Sequence, residues 1–385
     1  MVIFILSTAN FLFGQKTWDG GAGTLSWTDA ANWNLNAIPA ASDVVVFNNQ
    51  TLQIINVPSV TISKLQIINN SDITLRPQTN GNRTLTVSSA TNDAIFVEAG
   101  STIVITGVDA ATDRTLTLTT TNTVGLQANI YGTVITGLHN NQVNAVGVFT
   151  KGGANATIIF NANSTYQHNR NTGAIPTATW HANSNCNITG ATTTVPSGLG
   201  QNFGNFTWNC TGQTVALSLA GMGSRTISSL NILSTGTGSI NYVAATAFTL
   251  SVTNYNHSGG TFNYSIGAQT FTLDISGNFS HTGGTISETS SGSGSIVFNG
   301  SSMQTYTSGG AVSQTIDFTV NSGKYLQMAA AGTTVTGNGK FTLVKGGTLG
   351  ITSSAGITST GATGNIQVTG TRNFDSEANY IYNGT

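Results

Sequence analysis

Charge is what this sequence has least of. Asp, Glu, Lys and Arg make up 6% of the 385 residues, where a soluble globular domain carries roughly 25%. The 12 basic residues stand singly, with no run of three, and the formal net charge is -1. That distribution argues against nucleic-acid binding, which needs clustered Lys and Arg, and against polybasic docking on a membrane surface. Beyond the first residues no apolar run approaches the roughly 20 needed for a membrane helix. No amphipathic helical stretch of useful length is present either. The two cysteines lack CxxC partners, which argues against a zinc site.

Thr, Ser, Asn and Gly fill the space that charge leaves. There are 46 glycines against 5 prolines, and hydrophobic residues make up 38%. Disorder usually pairs low hydrophobicity with high net charge, which is missing here. Thr favours strands, while Asn and Gly favour turns. The composition describes an all-β chain of many short strands. Its opening, MVIFILSTANFLFGQ (residues 1–15), has the length of a signal-peptide core without the basic start. Secretion is the expectation, with either a truncated start or a true initiating Met other than Met1; the competing reading is a buried first strand.

Repetition carries the most information. AFTLSVTNYNHSGGTFN (247–263) matches TFTLDISGNFSHTGGTIS (270–287), aligning Phe248 with Phe271 and, after one inserted position, His257 with His281. VTISKLQIIN (60–69) matches RTISSLNILS (225–234), and RTLTVSS (83–89) matches RTLTLTT (114–120). Each alternates apolar and polar residues with the period of a strand buried on one face. Strands recurring at this interval without helices predict a parallel β-helix, or β-solenoid, of about 22–24 residues per rung. A β-sandwich array is the competitor. The expected organisation is the signal at 1–15, a Trp- and Gly-rich cap with entry strands at 16–50, and β-helix repeats over 51–385.

The stretch KTWDGGAGTLSWTDAANWN (16–34) holds three of the five tryptophans, Trp18, Trp27 and Trp33. Exposed rings would stack on sugars; buried rings would plug the open end of an apolar core. The plug is the expectation. Cys186 and Cys210 stand one such rung apart, which places them for a disulfide or for two free thiols in one buried column.

Chemistry is sparse. The densest acidic patch is Asp93, Glu98, Asp109 and Asp113, beside Arg114, and one rung could bring Glu98 near Asp113. Glycosidase chemistry needs two facing carboxyls about 5–10 Å apart, but Asp is also a turn residue and Arg114 can pair with a neighbouring acid. Five histidines occur, at 139, 168, 181, 257 and 281, and the last two occupy equivalent rung positions. Copying of the repeat explains that pair as well as metal binding does. GNGKF (337–341) lacks P-loop spacing, and no calcium loop appears. Thr-rich rows such as TLTLTTTNT would order water as ice-like columns only on a regular lattice. The longer interval between the two RTLT copies, from Arg83 to Arg114, works against one.

The order of TWDGGAGTLSWTDAANWNLNAIPAASDVVVF, ATWHANSNCNITG, FGNFTWNCTGQT and GSIVFNGSSMQTYTSGG resembles the large repetitive secreted and surface proteins of Bacteroidota, adhesin-like β-helices exported by the type IX system. The resemblance implies an N-terminal fragment of a longer cell-surface protein and supplies no catalytic residues. A non-catalytic spacer or adhesin segment contacting glycans or other cell-surface components, without cofactor or metal, is therefore expected. The alternative is a β-helix polysaccharide lyase or glycoside hydrolase.

Overall fold

The computed structural model describes residues 14–108, 113–137, 146–243, 245–289 and 291–384. Most of the expected signal segment, residues 1–13, lies outside them. The chain divides into two units, residues 1–134 with 138–159 and residues 135–137 with 160–385, and each is a parallel β-helix.

In the first unit three sheets take strands in turn. Lys64–Ile68, Asp72–Pro77 and Arg83–Val87 supply one rung; Ile95–Val97, Thr102–Ile105 and Leu116–Thr120 supply the next. Each strand lies parallel on its predecessor, with Leu65 facing Ile95, Asp72 facing Thr102 and Arg83 facing Leu116. Parallel neighbours require a crossover connection, and here the rung's other two strands are the crossover. Alternation then fixes the faces: in Leu116–Thr120 the residues 116, 118 and 120 are buried and those between them half-buried.

The second unit follows the same rule. Arg225–Ser234 and Phe248–His257 are long strands, and the following rung divides into Phe271–Ile275 and Phe279–His281. Phe248 faces Phe271 and His257 faces His281. The one inserted position is taken up between those two short strands, where the Gly277 amide donates to Thr253 O at 2.6 Å. Inside, Tyr255, Phe279 and Tyr306 stack in one column, with centroids 5.2 and 4.8 Å apart and planes within 19°. Such ring pairs contribute about 0.5–1.5 kcal/mol each beyond area burial.

Rung length is the expectation that needs correction. The expected interval describes the middle of the second unit. It is too long where Asn185 lies on Thr165, and too short where Leu116 lies on Arg83. The strands must keep their inward columns in register, whereas the corners carry no such constraint and absorb the difference. Asparagine builds many corners. Asn69 and Asn70 take left-handed backbone at φ 55° and 58°, and Asn171 Oδ1 accepts the amides of Thr192, Thr193 and Thr194 at 2.9–3.0 Å.

Candidate functional site

The tryptophan-rich stretch is a buried aromatic cluster. Trp18, Trp27 and Trp33 are exposed by 3%, 0% and 0%. Trp33 is the hub, edge-on to Trp18 at 5.1 Å and to Trp27 at 4.9 Å, with Phe47 of the strand Val44–Asn48 at 5.8 Å. Its indole Nε1 donates to Trp27 O at 2.9 Å, while the Trp27 indole N–H is buried without a partner. Asn32, also buried, donates to Thr24 Oγ1 and Ser26 O and accepts from the Ala22 amide, so it fastens the glycine-rich loop. Left-handed Gly20 and Gly23, at φ 70° and 67°, let that loop double back. Rings so enclosed offer no face to a sugar.

The acidic patch does not assemble. Asp109 lies outside the described residues. Glu98 follows the strand Ile95–Val97 and accepts from the Asn69 amide, whereas Asp113 precedes Leu116–Thr120 in a different sheet. The register puts Glu98 beside Tyr131, because Val97 faces Ile130. Asp93 sits in left-handed backbone at φ 62° and accepts from Asn129 Nδ2 at 2.9 Å; Arg114 donates to Thr79 O. These are turn-holding roles. The expected approach of Glu98 to Asp113 fails because the local rung returns only at Tyr131, far past Asp113 in the chain.

Cys186 and Cys210 are free and buried. Cys186 faces Phe206 because this rung is short, so Cys210 falls four positions past the Cys186 column. Its Sγ instead donates to Ile188 O at 3.4 Å. Burial raises both thiols, Cys210 to about 12 and Cys186 well above the ordinary range. Thiol-specific reagent should therefore leave the native chain unmodified at pH 8 and label two thiols once it is denatured. Absence of the two denatured-state thiols without reductant would establish the disulfide instead.

Three histidines form a recurrent internal feature. In YQHNRNTG, Tyr166 OH lies 3.1 Å from His168 Nδ1, and His168 Nε2 lies 2.7 Å from Thr172 O. In YNHSGG, Tyr255 OH meets His257 Nδ1 at 3.1 Å and His257 Nε2 meets Gly260 O at 3.3 Å. His281 stacks on His257 at 4.8 Å, but its Nε2 is buried without a hydrogen bond. The glycine pairs follow from this arrangement: a Cβ on Gly284 would stand 2.6 Å from His257 Nε2, and one on Gly310 2.1 Å from His281 Nε2. Each of these two rings needs a glycine on the next rung. Burial first holds His168 and His281 down to about 4 and His257 to about 3, the last also lowered by His281. His139 lies outside the described residues, and exposed His181 accepts the Asn183 amide. No group of three or more potential metal ligands occurs among the described residues.

What the outer faces do present is columns of hydroxyls and amides. Thr61, Thr86 and Thr119 share one column of the first unit, and Thr84 and Thr117 another. The corners absorb the uneven rung length, so it does not break these columns. In the second unit amide groups bond between rungs: Asn205 to Asn185 at 3.1 Å and Asn256 to Asn231 at 2.8 Å. Among the described residues no helix is long and apolar enough to cross a membrane. A scan against protein-family models, a search of curated proteins and a search of solved structures each found no match.

Proposed function

We propose that this chain is a non-catalytic segment of a secreted cell-surface β-helix, adhesin-like or spacer in role, that contacts glycans weakly at many points. The observation that supports the reading is the registered outward columns, Thr61–Thr86–Thr119 and the inter-rung Asn pairs. They present donors and acceptors at the strand repeat of about 4.8 Å with almost no charge. Sugar hydroxyls match such a surface, and one site of this kind binds weakly. Repetition supplies avidity: linking modules raises apparent affinity by about 10²–10⁴ when the sites can be engaged together. The resemblance to Bacteroidota surface proteins of the type IX route agrees with this placement.

A glycan array probed with the purified chain, monomeric and displayed on a multivalent bead, tests the reading. Expected is retention on a subset of glycans by the beads, with monomer binding only in the high micromolar range. Beads that bind no glycan would overturn the glycan contact and leave a plain spacer.

A further inference from the structure

The second unit contains a place where a sheet begins partway along the coil. The strand Asn205–Asn209 pairs with Arg225–Ser234 only from Ser229 onward. Residues 225–227 therefore have a strand on one side alone, Leu250–Val252 of the next rung. On the other side the chain passes through Gly200 and Asn202 without strand structure, and a groove of about 610 Å³ remains. It is lined by Asn202, Ser224, Arg225, Thr226, Thr249 and Ser251, with Gly200 on the side to which the Arg225 guanidinium reaches.

Arg225 gives the groove its sign. It donates from Nη1 to Ser224 O at 2.8 Å and from Nη2 to Gly200 O at 3.3 Å. A guanidinium has five N–H donors, so these two carbonyls leave capacity, and no carboxylate pairs with it among the described residues. Asp274 is the in-register neighbour of Ser251 on the following rung, and it is engaged at 3.5 Å by the Ser251 hydroxyl.

We infer that this groove binds an acidic saccharide, a uronate-bearing glycan whose carboxylate pairs with Arg225. The planar fork of arginine matches a carboxylate bidentately. The hydroxyl and amide walls supply both donors and acceptors for the ring hydroxyls. Nothing in the lining is a large apolar side chain, which disfavours hydrophobic ligands, and a single cation suits a monoanion. The inference rests on the proposed glycan contact and gives it an address.

The test is titration of the full chain with an oligogalacturonate, its neutral oligogalactose counterpart and an oligoglutamate. Expected is saturable binding of the uronate alone, weakened by salt, with at least a tenfold loss in Arg225→Gln. Thr249→Glu, at an exposed outward position, would place a carboxylate on the groove wall and should cause a similar loss without disturbing the fold. Equal binding of oligoglutamate would overturn the saccharide in favour of an acidic peptide. Uronate binding unchanged in both variants would overturn this groove while leaving glycan contact elsewhere intact. No uronate binding, with array binding of other glycans retained, would overturn the ligand class; no binding in either assay would sink both readings.

Discussion

Lowering the pH from 7.5 to 5 is expected to strip several kcal/mol from the stability of the second unit. His168 and His281 titrate in the folded chain at about 4 and His257 at about 3, against an ordinary value of 6.5. A folded value below the unfolded one means that the unfolded chain takes up protons first. The stabilisation is therefore complete above about pH 7.5, declines as the pH falls through 6.5, and goes on declining until the folded groups titrate near 3–4. At pH 5 the linkage is about 2 kcal/mol for each histidine. Urea unfolding at pH 7.5, 6 and 5 reads the effect directly, as a falling midpoint at constant slope.

Replacing one ring separates this cause from general acid effects. His281 Nε2 is buried without a hydrogen bond of normal geometry, its polar neighbour being the Gly284 backbone. His281→Leu therefore gives up chiefly the stack on His257 and should cost less at pH 7.5 than loss of a ring with two hydrogen bonds. It should also flatten the acid loss by roughly one histidine's share, on the order of 2 kcal/mol at pH 5. His168→Leu serves as contrast: it removes one partner of the Tyr166 hydroxyl and the ring nitrogen that meets the Thr172 carbonyl. That variant should be destabilised at neutral pH while also losing pH sensitivity. A pH profile identical in His281→Leu and the parent would refute the assignment.

These histidines also mark how far the sequence can be read. The repeat at 247–263 and 270–287 aligns Phe248 with Phe271 and His257 with His281, and both pairs are in register. The single His of each stretch, followed two positions on by a Gly-Gly pair, makes that alignment unique. Elsewhere the alternation itself conceals the register. Matching RTLT at 83 with RTLT at 114 suggests Arg83 over Arg114, yet Arg83 faces Leu116. A shift of two residues in a Leu-Thr-Leu-Thr strand keeps every face and leaves no trace in the pattern. Cys210 escapes the Cys186 column for a related reason. An average rung puts it over Cys186, but the local rung is shorter and Phe206 stands there. The Arg225 groove arises from a strand that fails to form in the preceding rung, and no local motif encodes a missing partner.

Trp33→Ala is expected to be the most damaging single truncation, at about 3–5 kcal/mol. The ring is wholly buried, touches Trp18, Trp27 and Phe47 and donates to Trp27 O, so its loss opens a cavity and orphans a carbonyl together. In a stacked fold each rung contacts only its neighbours, which confines the damage. Amide exchange should accelerate in residues 14–57, where Trp18 N bonds to Val46 O and Trp27 N to Ile55 O. Protection around the Tyr255, Phe279 and Tyr306 column of the second unit should be unchanged. Trp27 provides the internal comparison. Its indole N–H has no partner, so Trp27→Phe gives up ring volume without a hydrogen bond, whereas Trp33→Phe gives up both. Trp33→Phe should therefore be the worse of the two by about 1 kcal/mol, the net worth of one hydrogen bond. Equal losses would mean that ring volume alone, and not the Trp33 to Trp27 bond, holds the glycine loop over Phe47.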